Sequence, residues 1–408
     1  MRWLITLLLL VFFQWYSYQA LKTAISNRWI LYGYVFFTVI IVGNLLFYTL
    51  ILERNTTNEP RLMYAIGFFL SLLIFQLLVS VILLAEDVFR IPQALYSFLK
   101  RVPEQTQFIP SRRKIISQIA LGLASIPFAS LLYGMYRGKY NYKVLSYNLE
   151  FEDLPDAFDG FKITQISDIH SGSFDNQTKV KYGVDLVNQQ KSDLVLFTGD
   201  LVNNRADEIK PWIKIFNKIK AEFGVFSILG NHDYGDYMRW ESPAAKRKNM
   251  EDLYDAHNEM GWDLLLNESR FIEKDGDRLA IIGVENWGSG FKKAGDLNKA
   301  LNKVSENDFK ILLTHDPSHW EAQVIPHPFK IHLTLCGHTH GMQFGIEIPG
   351  IIKWSPAKWR YKQWAGIYSE KNQYLNVNRG FGYLAYPGRV GMWPEVSVIT
   401  LSKSKSSI

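Results

Sequence analysis

A single cysteine, Cys336, occurs in 408 residues. No internal disulfide can form and no thiolate cluster can hold a metal, which leaves carboxylate, imidazole and amide groups as the available ligands. A chain without disulfides is compatible with either side of a membrane. Three catalytic signatures are also missing. There is no HExxH pair, no G-x-S-x-G elbow and no P-loop, which removes the mechanisms that depend on them. Charge bias is missing from most of the chain as well. Of the 45 Lys and Arg and 39 Asp and Glu, 11 and 5 fall in residues 1–136, which leaves 34 of each for the rest. The net +6 belongs to the front. The neutral remainder lacks the electrostatic footprint of nucleic-acid binding, and no nucleic-acid partner is expected.

Residues 29–52, 62–85 and 115–136 contain no Asp, Glu, Lys or Arg. Each is long enough to cross a bilayer, which takes about 20 apolar residues. Residues 3–21 are also uncharged but include Gln14 and Gln19. They read as a further span, because no small-residue cleavage site follows. About four transmembrane helices are therefore expected over residues 1–137, with the bilayer as a partner. Arg90, Lys100, Arg101, Arg112, Arg113 and Lys114 lie between the last two apolar stretches. By the positive-inside rule they assign that loop to the cytoplasm and the globular part to the outer side of the cell membrane. The stretch SRRKIISQIALG, residues 111–122, also has the form of a twin-arginine signal.

Residues 143–402 read as one globular domain, followed by a polar tail, residues 403–408, expected to be disordered. Short apolar runs at 161–168, 193–200, 224–231, 278–284, 309–315 and 331–338 alternate with helix-like segments such as 179–190 and 208–222. The alternation predicts an α/β domain with buried strands. In such folds ligands collect beyond the carboxyl ends of strands. Five strand ends carry metal-type ligands: Asp168 and His170, then Asp200, then Asn231, His232 and Asp233, then His315, then His338 and His340. The i, i+2 pairs predict side chains pointing to one side of an extended strand. The residues are too many for one tetrahedral site and suit two ions such as Mn, Fe or Zn sharing a carboxylate.

Asp-x-His, Gly-Asp, Gly-Asn-His-Asp, a lone His and Gly-His-x-His, in this order, resemble the calcineurin-like metallophosphoesterase superfamily. The stretches LPDAFDGFKITQISDIHSG and NRGFGYLAYPGRVGMWPEVSVITL look like its membrane-tethered branch, labelled YkuE-like or YaeI-like. The resemblance implies a sandwich of two β-sheets flanked by helices, and two divalent metals at the strand ends. By motif, Asp168, His170 and His340 would hold the first metal and Asn231, His315 and His338 the second, with Asp200 bridging. His232 would act as general acid, oriented by Asp233, while a metal-activated bridging water attacks phosphorus. The activity implied is hydrolysis of a phosphate or pyrophosphate ester. A lipid or cell-envelope substrate, such as the pyrophosphate bond of UDP-2,3-diacylglucosamine, is favoured over soluble nucleotides and sugar phosphates. A metal-binding membrane sensor without turnover is the alternative of another class, and the His232–Asp233 pair speaks against it.

Four features around these blocks carry further expectations. Met342 stands where many relatives have glycine, and is expected to narrow the cleft. Residues 236–250 could form a cap. Residues 351–364 mix Trp354, Trp359, Tyr361 and Trp364 with Lys353, Lys358, Arg360 and Lys362, a composition suited either to a membrane interface or to a solvated loop. Arg379 and Arg389 could clamp a phosphate or serve as structural ion pairs.

Overall fold

The computed structural model describes residues 2–51, 60–100, 110–348 and 350–404. Two compact units divide the chain between Tyr136 and Arg137. The first contains helices α1 (Arg2–Ala24), α2 (Arg28–Ile51), α3 (Pro60–Lys100) and α4 (Pro110–Tyr136). Three of these helices are long and apolar enough to cross a membrane, over Arg28–Leu50, Pro60–Pro92 and Arg112–Tyr136. Helix α1 is long enough, yet its Gln14, Tyr16, Ser17 and Gln19 make it more polar. Two of them have partners on neighbouring helices: Ser17 donates to the Gln76 carbonyl, and Gln14 pairs with Gln76 and Tyr34. Ala20, Ala120 and Ala124 are buried at the contact of α1, α3 and α4, where small side chains let helices approach closely. The expected basic loop is partly helix. Arg90 and Lys100 lie in α3 and Arg112–Lys114 in α4, while Arg101 lies outside the described residues. Arg113 pairs with Glu86 and with Asp87.

In the second unit the first strands are β1 (Lys143–Phe151), β2 (Lys162–Ile166), β3 (Leu194–Phe197), β4 (Val225–Ser227) and β5 (Asp263–Leu264). There follow β6 (Glu268–Lys274), β7 (Asp277–Gly283), β8 (Phe309–Leu313), β9 (Leu333–Cys336), β10 (Ile346–Ile348) and β11 (Ile352–Trp354). The last are β12 (Gly366–Glu370), β13 (Gln373–Val377) and β14 (Glu395–Lys403). One sheet has the order β1-β14-β2-β3-β4-β5 and the other β12-β13-β9-β8-β7-β6, while β10 and β11 form a separate ribbon. Ile163, Leu194, Leu196 and Ile399 of the first sheet share one core with Ile281, Ile311, Leu313 and Leu335 of the second. This is the two-sheet sandwich the motifs imply. β2, β3 and β4 are parallel, as are β7, β8 and β9, so the carboxyl ends within each set emerge together. The polar tail begins inside β14, and residues 405–408 lie outside the described residues.

Helices α5 (Gln177–Gln189), α6 (Ile213–Phe216), α7 (Pro243–Met260) and α8 (Leu297–Ala300) complete the unit. α5 falls where the sequence predicts it. The expected helix over 208–222 is only two 3-10 turns and α6. Pro211 cannot donate within a helix, and the Glu208 carboxylate turns back to accept the Asn203, Asn204 and Arg205 amides.

Three histidines are buried away from the strand-end blocks. Burial pushes His257 down to about 3, and His319 and His332 to about 4. Their folded values lie below the unfolded value of about 6.5, so their contribution to stability is present above that pH. It is lost as pH falls toward about 4, and toward about 3 for His257. Each group removes about 2 kcal/mol by about pH 5. In chelator, the melting temperature of the detergent-solubilised chain should fall between pH 7 and pH 5. His257→Gln should flatten that decline, and an unchanged slope would contradict the assignment.

Candidate metal centre

The strands stop before the ligand-type residues begin. β2 ends at Ile166 and β9 at Cys336, so the i, i+2 pairs are not on extended strand. Asp168, His170, Asp200, His338 and His340 all have left-handed backbone, with φ of 51°, 47°, 60°, 71° and 50°. Such residues cost about 1–3 kcal/mol each and persist where surrounding contacts over-determine them. Those contacts are visible. The Asp168 amide donates to Gly199 O (2.9 Å) and the His170 amide to Asp200 O (3.1 Å). The His338 amide donates to both Asp168 carboxylate oxygens at 3.0 Å. The glycines of the motifs give close approach. A Cβ on Gly230 would lie 2.2 Å from Asp200 Oδ1, and one on Gly337 2.1 Å from Asp168 Oδ2.

The side chains converge in two groups that could each hold a metal ion: Asp168, His170 and His340, and Asp200, His315 and His338. In the first, His170 Nε2 lies 3.0 Å from His340 Nε2, which is 3.2 Å from Asp168 Oδ1. In the second, His315 Nε2 lies 3.0 Å from Asp200 Oδ2 and 3.3 Å from His338 Nδ1. Asn231 joins this group, its Oδ1 2.8 Å from His338 Nδ1. Its amide donates to the Tyr237 hydroxyl, which turns the oxygen toward the cluster. Asp200 Oδ2 also lies 3.5 Å from His170 Nε2, so one carboxylate oxygen faces both groups. His338 and His340, two residues apart, belong to different groups.

Burial pushes His170 well below the usual imidazole value and His338 down to about 4, the neutral form with a lone pair to offer. Burial would raise Asp168 and Asp200, but His340 beside the first and His315 beside the second hold both carboxylates ionised. Burial likewise disfavours the His315 cation, yet Asp200 holds that imidazole up to about 10. Two buried anions drawing positive charge, beside imidazoles held neutral, fit a pair of divalent cations. His315 Nδ1 donates to Thr198 O (2.8 Å), which aims Nε2 inward.

His232 belongs to neither group. Its Nδ1 donates to Asn203 O (2.8 Å), and its ring stands 5.0 Å from His170 and 4.5 Å from Tyr237. Asp233 does not orient it. That buried carboxylate accepts the amides of Gly230, Asp200, Leu201 and Val202 at 2.8–3.2 Å, and thereby shapes the loop carrying Asp200. The Asn203 carbonyl and the Asp233 partners are backbone groups, which no side-chain pattern announces.

Arg379 is a structural ion pair, with Glu395 at 2.5 Å and Glu347 at 2.8 Å. Arg389 is fully buried, donating to Gly382 O, Met392 O and His340 Nδ1. Neither is a phosphate clamp. Met342 is 45% exposed with φ of 49°, in left-handed backbone that glycine adopts more readily. Of the expected cap, residues 243–250 are the first turns of α7 and Tyr237 is the part that reaches the site. From residues 351–364, the Tyr361 hydroxyl meets His338 Nε2 at 2.7 Å.

Two family models match this chain. One, "Calcineurin-like phosphoesterase", covers residues 161–342, and the other, "Probable Calcineurin-like phosphoesterase, transmembrane domain", covers residues 1–139. The first spans every residue from Asp168 to His340. Among similar proteins, the metallophosphoesterase YkuE of Bacillus subtilis is 29% identical over 67% of this chain and 90% of its own length. A metallophosphoesterase of Helicobacter pylori strain J99 is 27% identical over 73% of this chain and 74% of its own. A Danio rerio transmembrane protein with a metallophosphoesterase domain is 26% identical over 67% of this chain, which spans 60% of that protein.

Proposed function

We propose that this chain, which matches the calcineurin-like phosphoesterase model over residues 161–342 and resembles the metallophosphoesterase YkuE, is a membrane-anchored, dinuclear-metal hydrolase of phosphoester bonds acting at the bilayer. The observation that carries the reading is Asp200 Oδ2, within 3.5 Å of His170 in one group and 3.0 Å of His315 in the other. Asp168, His170 and His340 would hold one cation, and Asn231, His315 and His338 the other, with Asp200 available to both. The donors are nitrogen and oxygen without thiolate, which suits Mn, Fe or Zn. Such cations, when bound, supply Lewis acidity that activates water and offsets charge on the phosphoryl oxygens.

The protein's own groups do the rest. Asp233 fixes the loop that presents Asp200. Thr198 O fixes the tautomer of His315. The Asn203 carbonyl takes the Nδ1 proton of His232 and leaves Nε2 to serve the departing oxygen as general acid. The three apolar helices support a bilayer-held enzyme, residues 1–137 forming its membrane region and residues 143–402 the hydrolase. Arg112, Arg113 and Lys114 before the last span support an extracytoplasmic hydrolase, and Arg137, Lys139 and Lys143 after it weigh against one. A phosphate or pyrophosphate ester on a lipid or envelope precursor, of the UDP-2,3-diacylglucosamine type, is the substrate class proposed.

Chelator-stripped full-length protein, titrated with Mn²⁺, Fe²⁺ or Zn²⁺, is expected to take up two ions per chain. Hydrolysis should return with the second. Assayed against lipid pyrophosphates, phospholipids and nucleotides, the loaded enzyme should turn over the lipid-linked esters fastest. Saturation at one ion would end the dinuclear reading, and a preference for free nucleotides would end the lipid one.

A further inference from the structure

The ribbon of β10 and β11 has its amphipathic sense reversed. Pairing sets Ile346 opposite Trp354, Ile348 opposite Ile352 and Glu347 opposite Lys353. Alternation therefore puts the first four on one face and the charged pair on the other. Glu347 and Lys353 are themselves exposed, yet their charged ends reach back to the protein. Glu347 accepts from Arg379 at 2.8 Å and Lys353 Nζ donates to Ala365 O at 2.6 Å. The apolar face is turned out. Ile346, Ile348 and Ile352 are exposed, Ile351 at the tip is 81% exposed, and Trp359, edge-on to Trp354, is 74% exposed. An antiparallel ribbon meeting water on one side shows its polar residues there. This one, fixed by its ion pair, cannot turn over.

We infer that this face is a membrane-docking surface, which seats the ribbon at the headgroup–acyl boundary of the bilayer. The inference rests on the bilayer reading of the first unit. The second unit begins at the residue following the last apolar helix, so a bilayer holding that helix also holds this domain at its surface. Apolar side chains with tryptophan, beside the cations Lys358 and Arg360, have the composition that binds at a lipid interface. The ribbon is also continuous with the metal centre. It starts six residues after His340, and the chain leaving it returns Tyr361 to His338. Docking there would bring an ester at headgroup depth to the paired clusters.

The chain's only cysteine makes the test direct, because Cys336 is fully buried and its thiol is pushed well up by burial. The full-length Ile351→Cys variant, labelled with an environment-sensitive fluorophore, is placed in phosphatidylcholine–phosphatidylglycerol nanodiscs. Its emission should shift to the blue and lose most of its intensity when lipids carry a nitroxide high on the acyl chain. A water-like emission, or a blue shift that the nitroxide leaves intact, overturns the proposal. The second result means that protein, from this chain's own helices or another copy, covers the face. A Leu70→Cys label in α3 serves as reference. Quenching there but not at residue 351 rejects the docking surface alone, whereas no quenching at either rejects the bilayer reading itself.

Discussion

The Asp200→Asn variant is expected to hold at most one cation per chain and to lose about 10³-fold or more of its phosphoesterase turnover. The reason is the division of labour between the two carboxylate oxygens. Oδ1 accepts the His232 amide at 2.8 Å, and Oδ2 faces His315 at 3.0 Å and His170 at 3.5 Å. An asparagine keeps its oxygen on the amide. Its NH₂ group must then face the two imidazoles, where an amide nitrogen supplies neither a lone pair nor a charge. Two cations brought close together would also lose the anion between them, a loss of several kcal/mol at the transition state. Metal analysis, with turnover at saturating metal and melting temperature alongside, checks the result. The fold should survive, because the Asp200 main chain keeps its bonds to Asp233 and His170. Two ions bound with near-normal turnover would remove Asp200 from the bridge and the dinuclear scheme with it.

The same residue shows where local pattern is informative and where it fails. Asp200, like Asp168, His315 and His338, follows a short apolar run. A run without polar interruption in an α/β chain is a buried strand, so both the strands and the clustering of their ends are legible. Backbone conformation at those ends is not. Extended geometry was the natural expectation for Asp168 and His170, but both are left-handed, held by tertiary amide contacts that leave no trace in spacing. Asp233 fails for a related reason: adjacency to His232 suggests a side-chain partner, while its real partners are four amides, three of them about thirty residues away in sequence. Long-range pairing is equally hidden. β14, last in sequence, lies between β1 and β2, and nothing in its composition distinguishes that central place from an edge. Arg389 reads as one of two arginines suited to phosphate, yet complete burial against His340 makes it part of the scaffold. The break at Pro211 is legible in the sequence, since proline removes a helical donor.

A different outcome is expected for His232→Ala, which should keep both cations and lose turnover selectively. Its ring is in neither metal group, and the bond from its Nδ1 ends on a carbonyl rather than on a ligand. Removing it therefore leaves the donors of both clusters in place. What disappears is the proton for the leaving oxygen. General acid catalysis contributes about 10²–10⁴-fold, most where the leaving group is a poor one. An alkyl phosphate or a lipid pyrophosphate should thus slow by roughly that factor. p-Nitrophenyl phosphate, whose phenolate departs without protonation, should slow far less. Equal loss on both substrates would instead make His232 a positioning residue, acting through His170 at 5.0 Å. Full activity on the alkyl ester would leave protonation of the departing oxygen to some other group, such as Tyr237, whose ring lies 4.5 Å from the same imidazole.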